Sequence, residues 1–234
     1  MAESFLVEFR LRGYAKEYAE WASANVLRKA NDLGIRELSG RRFVSHVTLF
    51  GSAKTDNLKE VVSKIERIRK YYLRAQPHTL IPFKIKGIDF FDRPNKTIIF
   101  LSVNPSQELE QLRWELAQNL IKVSSEYPPW DTMQTFEFHS TVGIFQSTTS
   151  VQQLRSYAET GCSLAAFKQS RTDNDNPSIN LNLLRITLLG NDNHIHCEYD
   201  LVLKKLLSRN EALNKYWGER TIEKLRELQA TLKE

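Results

Sequence analysis

Two short segments of the chain carry the same pairing of a histidine with a threonine. Residues 46–49 read His-Val-Thr-Leu, and residues 139–142 read His-Ser-Thr-Val. Because successive side chains of a strand point to opposite faces, a histidine and a threonine two positions apart lie on the same face. Two such segments brought face to face supply two acid/base groups and two hydroxyl donors. Those four groups suit phosphoryl transfer without a metal ion or a covalent nucleophile.

The hydrolysis of a phosphodiester would give each group a task. The attacking water must lose a proton, and the departing oxygen must gain one. Imidazoles titrate near neutral pH and can perform both transfers, provided that one starts neutral and the other starts protonated. Threonine hydroxyls can donate to the phosphoryl oxygens without adding charge. The alternative is that both segments are ordinary half-buried strands, in which threonine suits a sheet.

The paired segments resemble the two H-x-T/S-hydrophobic motifs of the 2H phosphoesterase superfamily. Within it, the chain looks most like the LigT-like branch of 2′–5′ RNA ligases and RNA 2′,3′-cyclic phosphodiesterases, over roughly residues 4 to 207. The resemblance implies an α+β, bilobal fold. Its two pseudo-symmetric lobes would each hold a mainly antiparallel sheet flanked by helices, with a cleft between the lobes.

The resemblance also implies roles for the motif residues. His46 would protonate the leaving 3′ oxygen and His139 would activate water, which leaves a 2′-phosphate end. Thr48 and Thr141 would hold the phosphate, and no cofactor or metal is expected. The expected substrate is an RNA end or nucleotide with a 2′,3′-cyclic or 2′–5′ linkage. Three other activities stay open: 2′–5′ RNA ligation, trimming of RNA 3′ ends by an exonuclease, and nucleotide sensing without turnover.

Four further residues are candidates for substrate contacts. Arg41 and Arg42 run into the first motif segment and can reach backbone phosphates. Trp130 precedes the second motif segment and can stack on a base, unless it is a loop anchor buried against the core. Tyr199 falls in the last predicted strand and is expected to line the cleft.

Composition agrees with an intracellular enzyme. The 234 residues carry a formal net charge of +5, which suits an acidic partner such as RNA but is also common for solubility alone. Two cysteines without metal-ligand spacing predict reduced thiols, and no apolar run is long enough for a membrane span. The N-terminus lacks the pattern of a signal peptide. We therefore expect a cytoplasmic protein, with its oligomeric state left open.

Other nucleotide and metal signatures are missing from the sequence. It contains no Gly-x-x-x-x-Gly-Lys-Ser/Thr, Gly-x-Gly-x-x-Gly, Cys-x-x-Cys or His-Glu-x-x-His pattern. His194 and His196 share one strand face but have no carboxylate cluster to complete a metal site. Cys162 and Cys197 have no nucleophile motif around them.

The spacing of apolar residues predicts alternating strands and helices. Motif strands are expected over 43–50 and 135–145, and a final hairpin over 181–189 and 195–203. The order strand, helix, motif strand, helix and paired strands occurs twice, which predicts two similar lobes with a motif strand at the centre of each. We expect a bilobal domain over 1–207 and a helical extension over 208–234.

Overall fold

The computed structural model describes residues 2–39, 44–75, 80–170, 181–191 and 194–231. These parts contain nine strands and seven α-helices. The strands are β1 (Glu3–Arg10), β2 (His46–Thr55), β3 (Ile81–Arg93), β4 (Lys96–Pro105), β5 (His139–Gln146), β6 (Leu181–Leu183), β7 (Arg185–Leu189), β8 (Ile195–Asp200) and β9 (Lys205–Ser208). The helices are α1 (Gly13–Asp32), α2 (Leu58–Ala75), α3 (Gln107–Leu120), α4 (Val151–Gly161), α5 (Leu164–Gln169), α6 (Arg209–Leu213) and α7 (Lys215–Thr231).

The strands form two antiparallel sheets flanked by helices. The five-stranded sheet has the order β2-β1-β7-β8-β9, and the four-stranded sheet has the order β5-β4-β3-β6. This arrangement confirms the expected α+β class with two antiparallel sheets. None of the helices in the described ranges combines the length and apolar character that a membrane crossing needs.

Each motif strand lies at the end of its sheet, not at its centre as the repeat had suggested. β2 ends the five-stranded sheet, β5 ends the four-stranded sheet, and the two strands contact each other. Both begin at their motif histidine, several residues later than the expected starts at 43 and 135. Two end strands that meet side by side bring both motifs to the junction of the sheets.

Helices and buried side chains hold this junction together. α1 packs against β5, where the Ser23 hydroxyl donates to the carbonyl oxygen of Val142 at 2.8 Å, and α3 packs against β2. Val47 and Leu49 of β2 are completely buried. Each such side chain stabilises the fold by about 1.5–3 kcal/mol relative to its exposed state. Buried and half-buried residues alternate along the first part of β2. The buried face packs into the core, so the half-buried face is the one that meets the cleft.

The expected strand over 181–189 is divided between the two sheets. β6 pairs with β3, whereas β7 lies between β1 and β8. The chain changes sheet at Leu184, whose carbonyl oxygen accepts a hydrogen bond from the Leu201 amide at 2.9 Å. The predicted hairpin is confirmed for Arg185–Leu189 and Ile195–Asp200, whereas its first residues, Leu181–Leu183, were wrongly assigned to it. A nearly continuous apolar run has no turn residue to mark such a change of sheet.

The C-terminal helices pack on the five-stranded sheet through a buried arginine. Arg185 donates to the carbonyl oxygen of Trp217 and to the hydroxyl of Thr221, both at 2.7 Å. It also forms ion pairs with Glu198 at 2.9 Å and Asp200 at 2.8 Å, which supply the negative charge that a buried guanidinium needs. The helices expected after residue 208 are present, while the domain boundary at 207 stays a prediction.

Candidate active site

The two motif histidines are held in the same way. The Nδ1 atom of His46 lies 2.7 Å from the carbonyl oxygen of Val44, and that of His139 lies 2.8 Å from the carbonyl oxygen of Glu137. A carbonyl oxygen only accepts, so each Nδ1 carries the proton of its hydrogen bond. Within the described ranges, no residue hydrogen bonds to either Nε2 atom. Each Nε2 is therefore left to exchange a proton with a substrate.

The motif threonines accompany the histidines on the same faces. Thr48 and Thr141 are both half-buried, whereas the intervening Val47 and Ser140 are buried on the opposite side of their strands. Neither threonine hydroxyl has a hydrogen-bond partner among the residues that the structure describes. Both hydroxyls are therefore available to donate to phosphoryl oxygens.

A carboxylate and a guanidinium surround His46. Strand β1 places Glu8 opposite Thr48 and Arg10 opposite His46. The Oε2 atom of Glu8 lies 3.6 Å from the Nδ1 atom of His46, and its Oε1 atom accepts from Nε of Arg10 at 2.9 Å. Glu8 is almost completely buried. It therefore forms an ion pair with His46 whenever that imidazole is protonated.

Aromatic rings surround His139 instead. The ring centroids of Phe91 and Phe100 lie 5.0 and 5.2 Å from that of the imidazole, both in edge-to-face geometry. Burial lowers the pKa of His139, although the carbonyl and the charge of Glu137 raise it. The positive charge of His46 also lowers the pKa of His139, so the two imidazoles are electrostatically coupled across the junction. His139 is therefore the histidine that is biased toward the neutral form.

Four residues that the sequence interpretation missed belong to this site: Glu8, Arg10, Phe91 and Phe100. Glu8 and Arg10 lie in β1, and the two phenylalanines lie in β3 and β4. No local motif marks them, because their position depends on which strand pairs with a motif strand and in which register. The one available signal was Glu8, a charged residue between the apolar Val7 and Phe9 of a buried strand.

A buried ion pair joins the segment before β5 to the first motif strand. Asp131 lies 3.1 Å from the NH2 atom of Arg113, and its second carboxylate oxygen accepts from the Gly51 amide of β2 at 2.9 Å. Burial raises the pKa of Asp131 to about 6, although the Gly51 amide and Arg113 both lower it. This contact holds the residues that lead into His139 against the strand that carries His46.

The other predicted substrate contacts have different outcomes. Arg41 and Arg42 lie outside the described residues. Trp130 is 52% exposed in the short 3₁₀ turn Pro129–Thr132, so it is not a buried loop anchor and stays a stacking candidate. The expectation for Tyr199 was wrong, because it is completely buried and donates to the carbonyl oxygen of Val62 in α2 at 2.8 Å. It faces the core on the side of β8 opposite to Glu198.

The other candidate metal ligands and nucleophiles lie outside the two-histidine site. In the ranges that the structure describes, no group of three or more His, Cys, Asp or Glu side chains is arranged to hold a metal ion. Cys162 and Cys197 are buried free thiols, and burial raises the pKa of each to about 11. They stay protonated at neutral pH and are poor nucleophiles.

Two imidazoles with free Nε2 atoms beside two free hydroxyls define a site for acid/base chemistry on a phosphate ester. Residues 20–194, which include both motifs, match the model of the 2′-5′ RNA ligase superfamily. The chain therefore belongs to this superfamily of 2H phosphoesterases, which are of ligase or phosphodiesterase type. A search of curated proteins found no match.

Solved structures with a similar fold have low sequence identity. The Usb1 protein of Kluyveromyces marxianus, solved with uridine monophosphate, is 18% identical, with a TM-score of 0.42 over 80% of this chain and 92% of that one. A conserved protein of unknown function from Agrobacterium tumefaciens is 12% identical, with a TM-score of 0.45 over 89% of this chain and 87% of that one.

Proposed function

We propose that this protein is a metal-independent phosphodiesterase that hydrolyses 2′,3′-cyclic phosphates, or 2′–5′ linkages, at RNA ends or on nucleotides. The observation that carries the proposal is the difference between the two histidines. His139 lies against aromatic rings with a lowered pKa, whereas His46 lies beside the carboxylate of Glu8. One imidazole that starts neutral and one that starts protonated is the pair that such hydrolysis requires.

The geometry supports a division of roles in a single displacement. Nε2 of His139 removes a proton from water, and the resulting oxygen attacks phosphorus. The bond from phosphorus to the ribose 3′ oxygen breaks, and Nε2 of His46 gives that oxygen its proton. The product carries a 2′-phosphate and a 3′-hydroxyl. Proton exchange with solvent then restores neutral His139 and protonated His46.

The remaining groups stabilise charge on the phosphate. Thr48 and Thr141 donate to its non-bridging oxygens, because each hydroxyl shares a face with its histidine and has no partner in the described structure. Arg10 adds a positive charge next to His46, where its Nε is held by Glu8. These donors are fixed before the substrate arrives, so little reorganisation is needed during the reaction.

Product analysis tests this proposal. The wild-type protein is incubated with a 2′,3′-cyclic mononucleotide and with oligonucleotides that have 2′–5′ or 3′–5′ linkages, each with and without excess chelator. We expect the cyclic nucleotide to give a 2′-phosphate at the same rate in chelator. Loss of turnover in chelator, restored by a divalent metal, would overturn the metal-independent mechanism.

The same panel distinguishes the other activities. Stepwise release of 3′-terminal nucleotides from the 3′–5′ oligonucleotide would indicate an exonuclease, and joining of RNA ends through a 2′–5′ bond would indicate a ligase. Binding of nucleotides without any product would indicate a sensor. The double variant His46→Ala/His139→Ala controls for contaminating nucleases, since it must lose every activity that belongs to this site.

A further inference from the structure

A groove leads from the active site to the C-terminal helices. Its first part is a cavity of about 480 Å³ that reaches Val44 and Ser45, next to His46, and that also contacts Arg10, Arg12 and Lys16. A second cavity of about 920 Å³ lies beyond it, along α6 and α7. The two cavities share four lining residues, namely Arg12, Lys16, Ala212 and Leu213. We call this continuous depression the basic groove.

Cations line the start of the basic groove. Arg10 and Arg12 lie two residues apart at the end of β1, and Lys16 lies one helical turn after Arg12. The ion pair between Lys16 and Glu20 is long, at 3.8 Å, and both side chains are exposed to solvent. Arg12 lies 3.4 Å from Glu198, a carboxylate that already pairs with Arg185 at 2.9 Å. The charge excess lies further along the groove, where, in the described part of the chain, six cations face only two carboxylates, Glu219 and Glu223; the cations are Arg12, Lys16, Arg185, Lys215, Arg220 and Arg226.

The far wall of the basic groove presents an exposed aromatic ring. Tyr216 is 56% exposed and Leu213 is 63% exposed, on either side of Lys215 along the chain. The Tyr216 ring contacts Trp217 edge-on, with 5.2 Å between centroids. The backbone of Trp217 accepts from buried Arg185, so this wall is fixed to the sheet. Exposed aromatic rings beside cations are typical of surfaces that bind single-stranded nucleic acid.

A separate cavity next to the start of β5 has the reverse charge. It has a volume of about 720 Å³ and lies along β3, β4 and the segment before β5. Asp89, Glu110 and Glu137 line it, with Lys86 as its one cation among the described residues. A phosphate backbone is repelled from this cavity and attracted to the basic groove. The difference gives a bound strand one favoured direction out of the active site.

We propose that the basic groove binds the RNA strand that leads up to the terminal phosphodiester. The strand's phosphates contact Arg10, Arg12, Lys16 and Lys215, and one of its bases stacks on Tyr216. This inference rests on the proposed function, because it requires an RNA end at the two histidines. The wall formed by α6 and α7 lies beyond residues 20–194, the part that matches the superfamily model.

The test compares RNA binding with turnover of a mononucleotide. The groove variant Lys16→Gln/Lys215→Gln removes two exposed cations, and Tyr216→Ala removes the stacking ring. The control Lys59→Gln/Lys122→Gln removes two exposed lysines outside the groove. Binding of a labelled single-stranded RNA ten-mer is measured between 50 and 200 mM salt, and hydrolysis of a 2′,3′-cyclic mononucleotide is measured alongside.

We expect the groove variant to weaken RNA binding and to reduce the salt slope by up to about 1.4, or about 0.7 for each lost phosphate contact. Tyr216→Ala should weaken binding by about tenfold with an unchanged salt slope. Both should hydrolyse the mononucleotide at the wild-type rate. RNA binding and salt slopes equal to those of the control would overturn the groove inference, even if turnover is normal. If the groove variants bind RNA more weakly than the control but the wild-type protein does not hydrolyse the mononucleotide, the result would support the groove and overturn the proposed function.

Discussion

The two halves of the active site begin from the same local structure and differ in their neighbours. His46 and His139 each open a strand, each bonds through Nδ1 to the carbonyl oxygen two residues earlier, and each is followed by a half-buried threonine. Across the first strand lie the charged Glu8 and Arg10. Around His139 lie the rings of Phe91 and Phe100. The motif orients an imidazole, and the neighbouring strands set its surroundings, which are charged side chains for His46 and aromatic rings for His139.

This comparison explains how a nearly symmetric pair of motifs can perform an asymmetric reaction. A carboxylate stabilises a nearby imidazolium through charge, while aromatic burial removes the water that would solvate one. We therefore expect the assignment of acid and base to depend on residues outside both motifs. It also follows that these outer residues can be changed one at a time to test the two roles separately.

The largest effects should come from removing either imidazole. His46→Ala and His139→Ala should each lower kcat by at least about a hundredfold, the usual contribution of a general acid or base. The double variant should lose less than the product of the two single losses, because the histidines act as a unit. Steady-state kinetics on a cyclic mononucleotide measures the losses of the single and double variants. Circular dichroism shows whether the variants fold. Near-normal activity in one folded single variant would remove that histidine from the mechanism.

A smaller effect should follow from removing the charge next to His46. Glu8→Gln keeps the size of the side chain but removes the ion pair with the protonated imidazole. We expect kcat to fall by about tenfold at neutral pH, because Glu8 contacts Nδ1 of His46 and holds Nε of Arg10. Glu3→Gln, in the same strand, is the control. A kcat equal to that of the control would show that the site does not depend on the charge of Glu8.

The smallest effect should come from opening the aromatic surroundings of His139. The pKa of His139 is lowered by burial, so a base at this position stays neutral at pH values where an exposed imidazole is already partly protonated. Phe91→Ala admits water, which stabilises the imidazolium and raises that pKa. The acidic limb of the pH–rate profile should therefore move upward, by less than one pH unit. Phe90→Ala is the matched control, because Phe90 contacts Arg155 on the other face of β3. Equal shifts in both variants would contradict the role of Phe91.

Sequence reasoning predicted well those features that depend on neighbours along the chain. The pairing of His46 with Thr48 on one face follows from strand alternation alone, and the structure agrees. The cap of α3 is equally local, since the Ser106 hydroxyl accepts from the amide of Leu109, three residues later, at 3.3 Å. The α+β class followed from the family resemblance and from the alternating patterns.

Features that depend on strand partners could not be predicted. Tyr199 lies in a strand, as expected, but alternation does not say which face of a strand meets the cleft. The residue faces the core, while Glu198 beside it faces Arg12 and Arg185. Glu8 was missed for a related reason, because its place in the site depends on the strand register that sets it opposite Thr48.

The central claim is that equal motifs place their histidines in different surroundings, and that burial against aromatic rings biases His139 toward the neutral form. The most direct measurement is a histidine-specific NMR titration of the intact protein, with His46→Gln and His139→Gln variants to assign the signals. The account predicts that His139 titrates below the ordinary imidazole value of about 6.5, with its neutral form protonated at Nδ1. A His139 that titrates at or above that value, or whose neutral form carries its proton on Nε2, would contradict it.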